Sequence, residues 1–147
     1  MSTDVHHMAF FVVDLERTLH LFQDILGFSL VWRVESVGGS TLSSVVGIPG
    51  MKAEIAYLEE RPGGVAVELI RLIQPSKERR PGDFGVPGSV SLSLVVEDLD
   101  GLYQRLCKEG WKPLTQSMEM RTPTGDRVRM FCFRTDESLM VELIEFV

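Results

Sequence analysis

Two glutamates stand inside strand-like sequence where an apolar side chain is the ordinary choice. Glu68 lies in Val67-Glu-Leu-Ile70 and Glu142 in Val141-Glu-Leu-Ile144, the same four letters written twice at a spacing of 74. Burying a carboxylate between Val and Leu is expensive unless it is paired, hydrogen-bonded or bound to a cation. The repetition makes an accidental solvated position a poor account of either. A third polar group joins them near the start. Successive strand side chains alternate faces, so His7, Ala9 and Phe11 share one side of the first strand and Met8, Phe10 and Val12 the other. The bulkier side suits a helix; His7 and Phe11 then project from the opposite face, and His6 is expected to face the helix. Arg127 and Arg129, on the strand next to Glu142, could reach a substrate carboxylate or pair with a glutamate.

The elements that must position these residues are also written twice. Met8-Ala-Phe-Phe-Val-Val-Asp14-Leu15-Glu16 is answered by Leu92-Ser-Leu-Val-Val-Glu-Asp98-Leu99-Asp100. Two matched features in the same order indicate a duplicated module. In the first copy, Val5–Val13 reads as a strand and Asp14 as an N-cap. Leu15, Leu19, Phe22 and Leu26 recur at helical spacing up to Gly27. Phe28–Val34 is a strand, 36–50 a Gly/Ser-rich loop with room for a helical turn, and Lys52–Leu58 and Val65–Ile73 form a hairpin across Arg61-Pro-Gly-Gly64. Residues 75–88, rich in Pro and Gly, read as a linker. The second copy repeats the order: a strand at Ser89–Glu97, then a helix capped by Asp98 and ended by Gly110. A short strand at Lys112–Gln116 and a polar loop at Met118–Asp126 come next. Strands at Arg127–Arg134 and Leu139–Phe146 close the chain. The pattern predicts an α+β fold of two βαβββ modules, about 1–74 and 89–147, in a single domain.

Composition bounds the partners. The chain has 147 residues, 44% of them hydrophobic, and a net charge of −6. About two-thirds of the unfolded surface of such a chain can be buried. The acidic balance argues against nucleic acid or an anionic membrane as partner, and the small cluster Lys77-Glu-Arg-Arg80 does not reverse it. No apolar run approaches the ~20 residues of a membrane span, and no signal-peptide pattern is seen, so a cytoplasmic protein is expected. Cys107 and Cys132 are expected as free thiols.

The segment His7-Met-Ala-Phe-Phe-Val-Val-Asp-Leu-Glu16, followed by Phe22-Gln-Asp-Ile-Leu-Gly-Phe28, resembles the opening of the vicinal oxygen chelate superfamily. That group includes glyoxalase I, methylmalonyl-CoA epimerase, extradiol dioxygenases and bleomycin-resistance proteins. Both Val-Glu-Leu-Ile strands and the Pro-rich linker fit, so the resemblance spans essentially the whole chain. It implies paired βαβββ modules curled into an eight-stranded cup, helices outside, around a divalent metal held from the first and fourth strands of each module. Carried over, the ligands are His7, Glu68 and Glu142. The fourth position falls on Ser91 rather than the usual His, a departure from the family, since a hydroxyl is a poor ligand. The remaining trio would suit Ni, Zn, Co, Mn or Mg. Ser91, Ser93, Phe11 and Arg129 are candidate substrate contacts, and family members commonly form homodimers.

Three functions follow from the resemblance. The first is a lyase or isomerase acting on a small molecule, with a metal stabilising an enediolate and Glu142 or Glu68 moving the proton. The second is a metal-free binding or resistance protein, which the Ser91 departure favours. The third is an extradiol dioxygenase, ranked last because it wants two histidines and this trio has one. Trp32 and Trp111 are read as packing residues, and His20 as a helix-surface residue.

Overall fold

The computed structural model describes residues 3–76, 85–137 and 139–147. The chain divides into two compact units, Met1–Arg79 and Arg80–Val147. The basic cluster at 77–80 and part of the 75–88 linker lie outside the described residues.

In the first unit, β1 (His7–Phe11), β2 (Ser29–Gly38), β3 (Lys52–Glu59) and β4 (Ala66–Gln74) form one sheet in the order β1-β4-β3-β2, with β1 parallel to β4. Helix α1 (Leu15–His20) begins where Asp14 accepts a hydrogen bond from the Arg17 amide, and it runs on into a π-helical turn, Leu21–Ile25. Gly27, at φ 79°, ends it in a backbone conformation that side chains resist. Leu15, Leu19, Phe22 and Ile25 are buried, and α1 packs on β4. Val67 and Leu69, buried on the face of β4 opposite Glu68, supply the apolar surface. Each such side chain contributes about 1.5–3 kcal/mol of burial.

The stretch read as a loop contains α2 (Ser40–Val46), and β2 runs on to Gly38, beyond the expected end at Val34. Leu42 in the helix and Ile48 just after it explain its placement. They pack on a small core of Met51, Ala53 and Ile70 at the far end of the sheet.

The second unit repeats the plan. Strands β5 (Ser91–Val95), β6 (Met118–Arg121), β7 (Arg127–Arg134) and β8 (Met140–Phe146) lie in the order β5-β8-β7-β6, with β5 parallel to β8. Helix α3 (Leu99–Lys108) is capped by Asp98, whose carboxylate accepts from the Gly101 amide. The duplication reaches single hydrogen bonds: Val12 N–H donates to Ile70 O at 2.9 Å, and Val96 N–H to Ile144 O at 2.8 Å.

One element moves. The strand expected at Lys112–Gln116 shrinks to an isolated bridge between Pro113 and Phe133, because proline has no N–H to extend a ladder. The expected polar loop instead supplies β6, which pairs with β7 from Met118↔Met130 to Arg121↔Arg127. All four of its residues are exposed, and only Thr122–Asp126 is left to turn. Among the described residues no helix is long and apolar enough to cross a membrane.

Candidate functional site

Register brings the first unit's polar groups together. Glu68 lies between Ala9 of β1 and Tyr57 of β3, and His7 sits opposite Ala66. His7 and Glu68 thus share a face and meet diagonally, His7 Nε2 standing 3.3 Å from Glu68 Oε2. The carboxylate is the more enclosed partner, with side-chain exposures of 16% for Glu68 and 35% for His7. His7 Nδ1 lies 2.7 Å from His6 Nδ1. One arrangement of protons satisfies both contacts: His7 donates from Nε2 to Glu68 and accepts at Nδ1 from His6.

His6 does not face the helix as expected. It precedes β1, outside the strand's alternation, and its ring meets that of Tyr57 at 6.0 Å. Tyr57 also meets His7 edge-on at 5.9 Å and stacks on Trp32 at 5.0 Å with 11° between the planes. Trp32 is 41% exposed, so its place is on an aromatic surface beside Glu68 rather than in the core. Trp111 is buried near Phe133, as expected of a packing residue. Phe11 lies on the same face as His7 and is 53% exposed. His20 contacts Asp24 one helical turn on, at 2.7 Å.

The second unit places Glu142 in the equivalent position, between Ser93 of β5 and Cys132 of β7. Ser93 Oγ donates to Glu142 Oε1 at 3.1 Å, and Cys132 Sγ stands 4.0 Å from Oε2. Burial, and then the Glu142 charge, push the Cys132 thiol above its ordinary value. Ser91 lies opposite Met140, two residues from Ser93 on the same exposed face. Both expected serines therefore share the Glu142 face, and only Ser93 contacts the carboxylate. Tyr57 carries no signal of its own in the sequence, and Cys132 none beyond a free thiol; the register that sets each across from a repeated glutamate is the signal that finds them.

Arg129 is placed otherwise than as a substrate contact beside Glu142. It pairs across the ladder with Glu145, which points to the opposite face from Glu142. Arg129 Nη1 donates to Glu145 Oε2 at 3.1 Å, and Nη2 donates to Asp100 in the first turn of α3 and to Ser117. Arg127 is held by Glu119 at 2.7 Å.

The helix side of the first unit carries a matching cluster that the sequence did not announce. Glu54, buried at 5% exposure, accepts from Arg33 and, through Oε2, from Arg71 at 2.7 Å. Arg33 also donates to Glu16, in the first turn of α1. Glu54 sits across from Arg71 as Arg129 sits across from Glu145, so the acid and the base have changed places between the units.

As donors to a divalent ion, His7 and Glu68 offer one imidazole nitrogen and one carboxylate within 3.3 Å. Glu142 offers a second carboxylate in the other unit. Among the described residues no three His, Cys, Asp or Glu side chains converge to hold a metal ion. The pair fits as two protein positions of a hydrated ion, and among the described residues no third such donor joins it.

The comparisons agree with this architecture. The profile of the Glyoxalase/Bleomycin resistance protein/Dioxygenase superfamily matches residues 6–133, and the chain belongs to that superfamily. Among solved structures, it is similar to a glyoxalase family protein from Bacillus cereus at 23% identity, covering 97% of this chain and 93% of that one, with a TM-score of 0.84. A glyoxylase/bleomycin resistance protein/dioxygenase domain from Frankia sp. EAN1pec gives 22% identity, full coverage of both chains (100% and 100%) and a TM-score of 0.69. The trypanothione-dependent glyoxalase I of Leishmania major gives 16% identity, 98% and 87% coverage and a TM-score of 0.66. At these identities the likeness is one of fold. No curated protein matches the chain.

Proposed function

We propose that the protein is a small-molecule lyase or isomerase of the glyoxalase or epimerase type, in which glutamate carboxylates move a substrate proton. The observation that carries this reading is the His7–Glu68 contact, 3.3 Å long on an exposed sheet face, with Glu142 at the equivalent place in the second unit. A carboxylate held in a fixed orientation on a sheet face is suited to general base work, which requires the base to lie within hydrogen-bond reach of the proton it takes. His7 would orient Glu68 through Nε2 or, with Glu68, hold a divalent ion such as Ni, Zn, Co, Mn or Mg. When bound, that ion would polarise a substrate carbonyl and ease loss of the neighbouring proton. Ser93 would hold Glu142 in one rotamer, leaving Oε2 as the freer oxygen. The resemblance of the sequence to a family whose members commonly form homodimers supports a homodimer as the working assembly.

The test is metal binding by the untagged protein, measured by elemental analysis and titration with Mn, Co, Ni and Zn. Stoichiometric binding lost in His7→Ala and in Glu68→Ala is expected. Turnover of α-oxoaldehyde hemithioacetals or acyl-CoA esters, lost in Glu142→Gln, would complete the case. Absence of binding that depends on these residues would overturn the metal-assisted form.

A second reading has its own support. Ser91 replaces the usual His, and three donors do not converge among the described residues. A metal-free binding protein would use the same surface, with the exposed Trp32, backed by Tyr57, receiving a cationic or aromatic compound beside Glu68.

A further inference from the structure

A second concave surface lies at the other end of the first unit's sheet. Where β2 ends and β3 begins, a cleft of about 640 Å³ is lined by Ser36, Ser40, Ser43, Lys52 and Gln74, with Gly38, Gly39 and Gly50 leaving its walls bare. Gly38 is packed so closely that a Cβ there would meet Met51 O at 2.6 Å, so the wall cannot carry a side chain without moving. Gln74 follows Glu68 by six residues on one strand, which sets the cleft roughly 20 Å from the His7–Glu68 pair at about 3.3 Å per residue. Leu42, Ile48, Ile55 and Leu72 occupy the intervening surface around Ile70. The cleft is therefore a separate place.

Its polar groups are of one kind. Among the described residues no acidic side chain lines it, although acids outnumber bases in the chain and the net charge is −6. Lys52 is its one ionisable group and, among the described residues, makes no ion pair. Arg33, Arg71, Arg127 and Arg129, by contrast, are each held by a carboxylate. Gln74 and the Ser36 and Ser40 hydroxyls likewise make no side-chain hydrogen bond within the described chain. Ser43 Oγ accepts the Met51 amide at 3.0 Å, which leaves its own proton available to donate.

We propose that this cleft is a binding site for the phosphoryl group of a small phosphorylated molecule, with Lys52 as the cation and Ser36, Ser40, Ser43 and Gln74 as hydrogen-bond donors. A compact ammonium among scattered hydroxyls matches the tetrahedral array of phosphate oxygens. A planar carboxylate is better met by an arginine fork, and no arginine is among the described lining residues. In an acidic protein the surrounding field repels anions, so a local unpaired cation is what such a ligand requires. The volume exceeds that of a phosphate ion and leaves space for the body of the molecule.

The experiment is a backbone-amide NMR titration of the full chain with inorganic phosphate, and separately with acetate, at constant ionic strength. Saturable shifts at Gly39, Ser40, Ser43 and Gly50 are expected with phosphate, and acetate should bind at least tenfold more weakly. Lys52→Gln should weaken phosphate binding about tenfold or more, the loss expected of one charge-assisted hydrogen bond. Ser40→Ala should weaken it severalfold with the charge intact. Absence of saturation, an unchanged response in Lys52→Gln, or loss in Lys52→Gln with none in Ser40→Ala would overturn the site. Equal binding of acetate would overturn its phosphate chemistry. None of these readouts depends on metal binding or turnover at His7 and Glu68.

Discussion

Glu54 shows what the burial of one carboxylate demands. Burial alone would raise its pKa, but hydrogen bonds from Arg33 and Arg71 more than offset this, and the group ends below its ordinary value of 4.5. A carboxylate depressed in the folded state stabilises the protein above its unfolded pKa, and that stability is lost as pH falls through the lower folded value. Denaturation midpoints should therefore hold from neutrality to about pH 5 and then fall, with a shallower fall in Glu54→Gln. At pH 7 that variant should lose about 1–3 kcal/mol in urea unfolding, less than a fully buried pair, because both arginines are partly exposed. Cys132 gives a second residue-scale test. Its thiol is raised by burial and by Glu142, whereas Cys107 is exposed. Iodoacetamide at pH 8 should label Cys107 first, as peptide mapping would show. Glu142→Gln should quicken labelling of Cys132, because a nearby negative charge disfavours the thiolate.

At the scale of elements, the start of α3 shows how a cap selects its neighbours. Asp98 accepts from the Gly101 amide at 2.9 Å, and a Cβ on Gly101 would stand 2.1 Å from Asp98 Oδ2. Gly101→Ala should therefore expel the cap, despite the better helix propensity of alanine. Asp98→Ala alone should cost about 1 kcal/mol. In the double variant the clash is gone, so thermal unfolding should show clear non-additivity, with Gly101→Ala harmless or helpful once Asp98 is absent. Helices α1 and α3 were legible because an Asp cap, a periodic apolar face and a terminal glycine all agree in each. Helix α2 was less so, since Leu42, its packing residue, and Ile48, just beyond its end, stand among Ser and Gly. Strand β6 was misplaced for a comparable reason: a four-residue strand exposed along its length has no apolar face to declare it, and only pairing with β7 defines it.

At the scale of the whole molecule, the duplication was the most legible feature, because its strand–helix order and its paired glutamates recur within the chain. The shared face of His7 and Phe11 followed from the two-residue alternation of a strand, whereas Ser91 and Ser93 entered through the family resemblance. The placement of Arg129 did not follow, because facing is decided by odd or even spacing: Glu142 and Glu145 are three apart and lie on opposite sides. Nor could the sequence show that Trp32 stacks on Tyr57, a contact set by cross-strand register. The proposed homodimer predicts twice the chain mass in sedimentation equilibrium, and a single-chain mass would overturn it. Repetition also creates a hazard during folding. Two strands that both read Val-Glu-Leu-Ile offer the same apolar teeth to either hairpin partner, so β7 could capture β4, or β3 capture β8. The inverted ion pairs act as a lock with two keys. The wrong match sets Arg71 against Arg129, or Glu54 against Glu145, and like charges directly opposed oppose the pairing. The residue after each repeated tetrapeptide thereby tells a newly made chain which half of itself it has met.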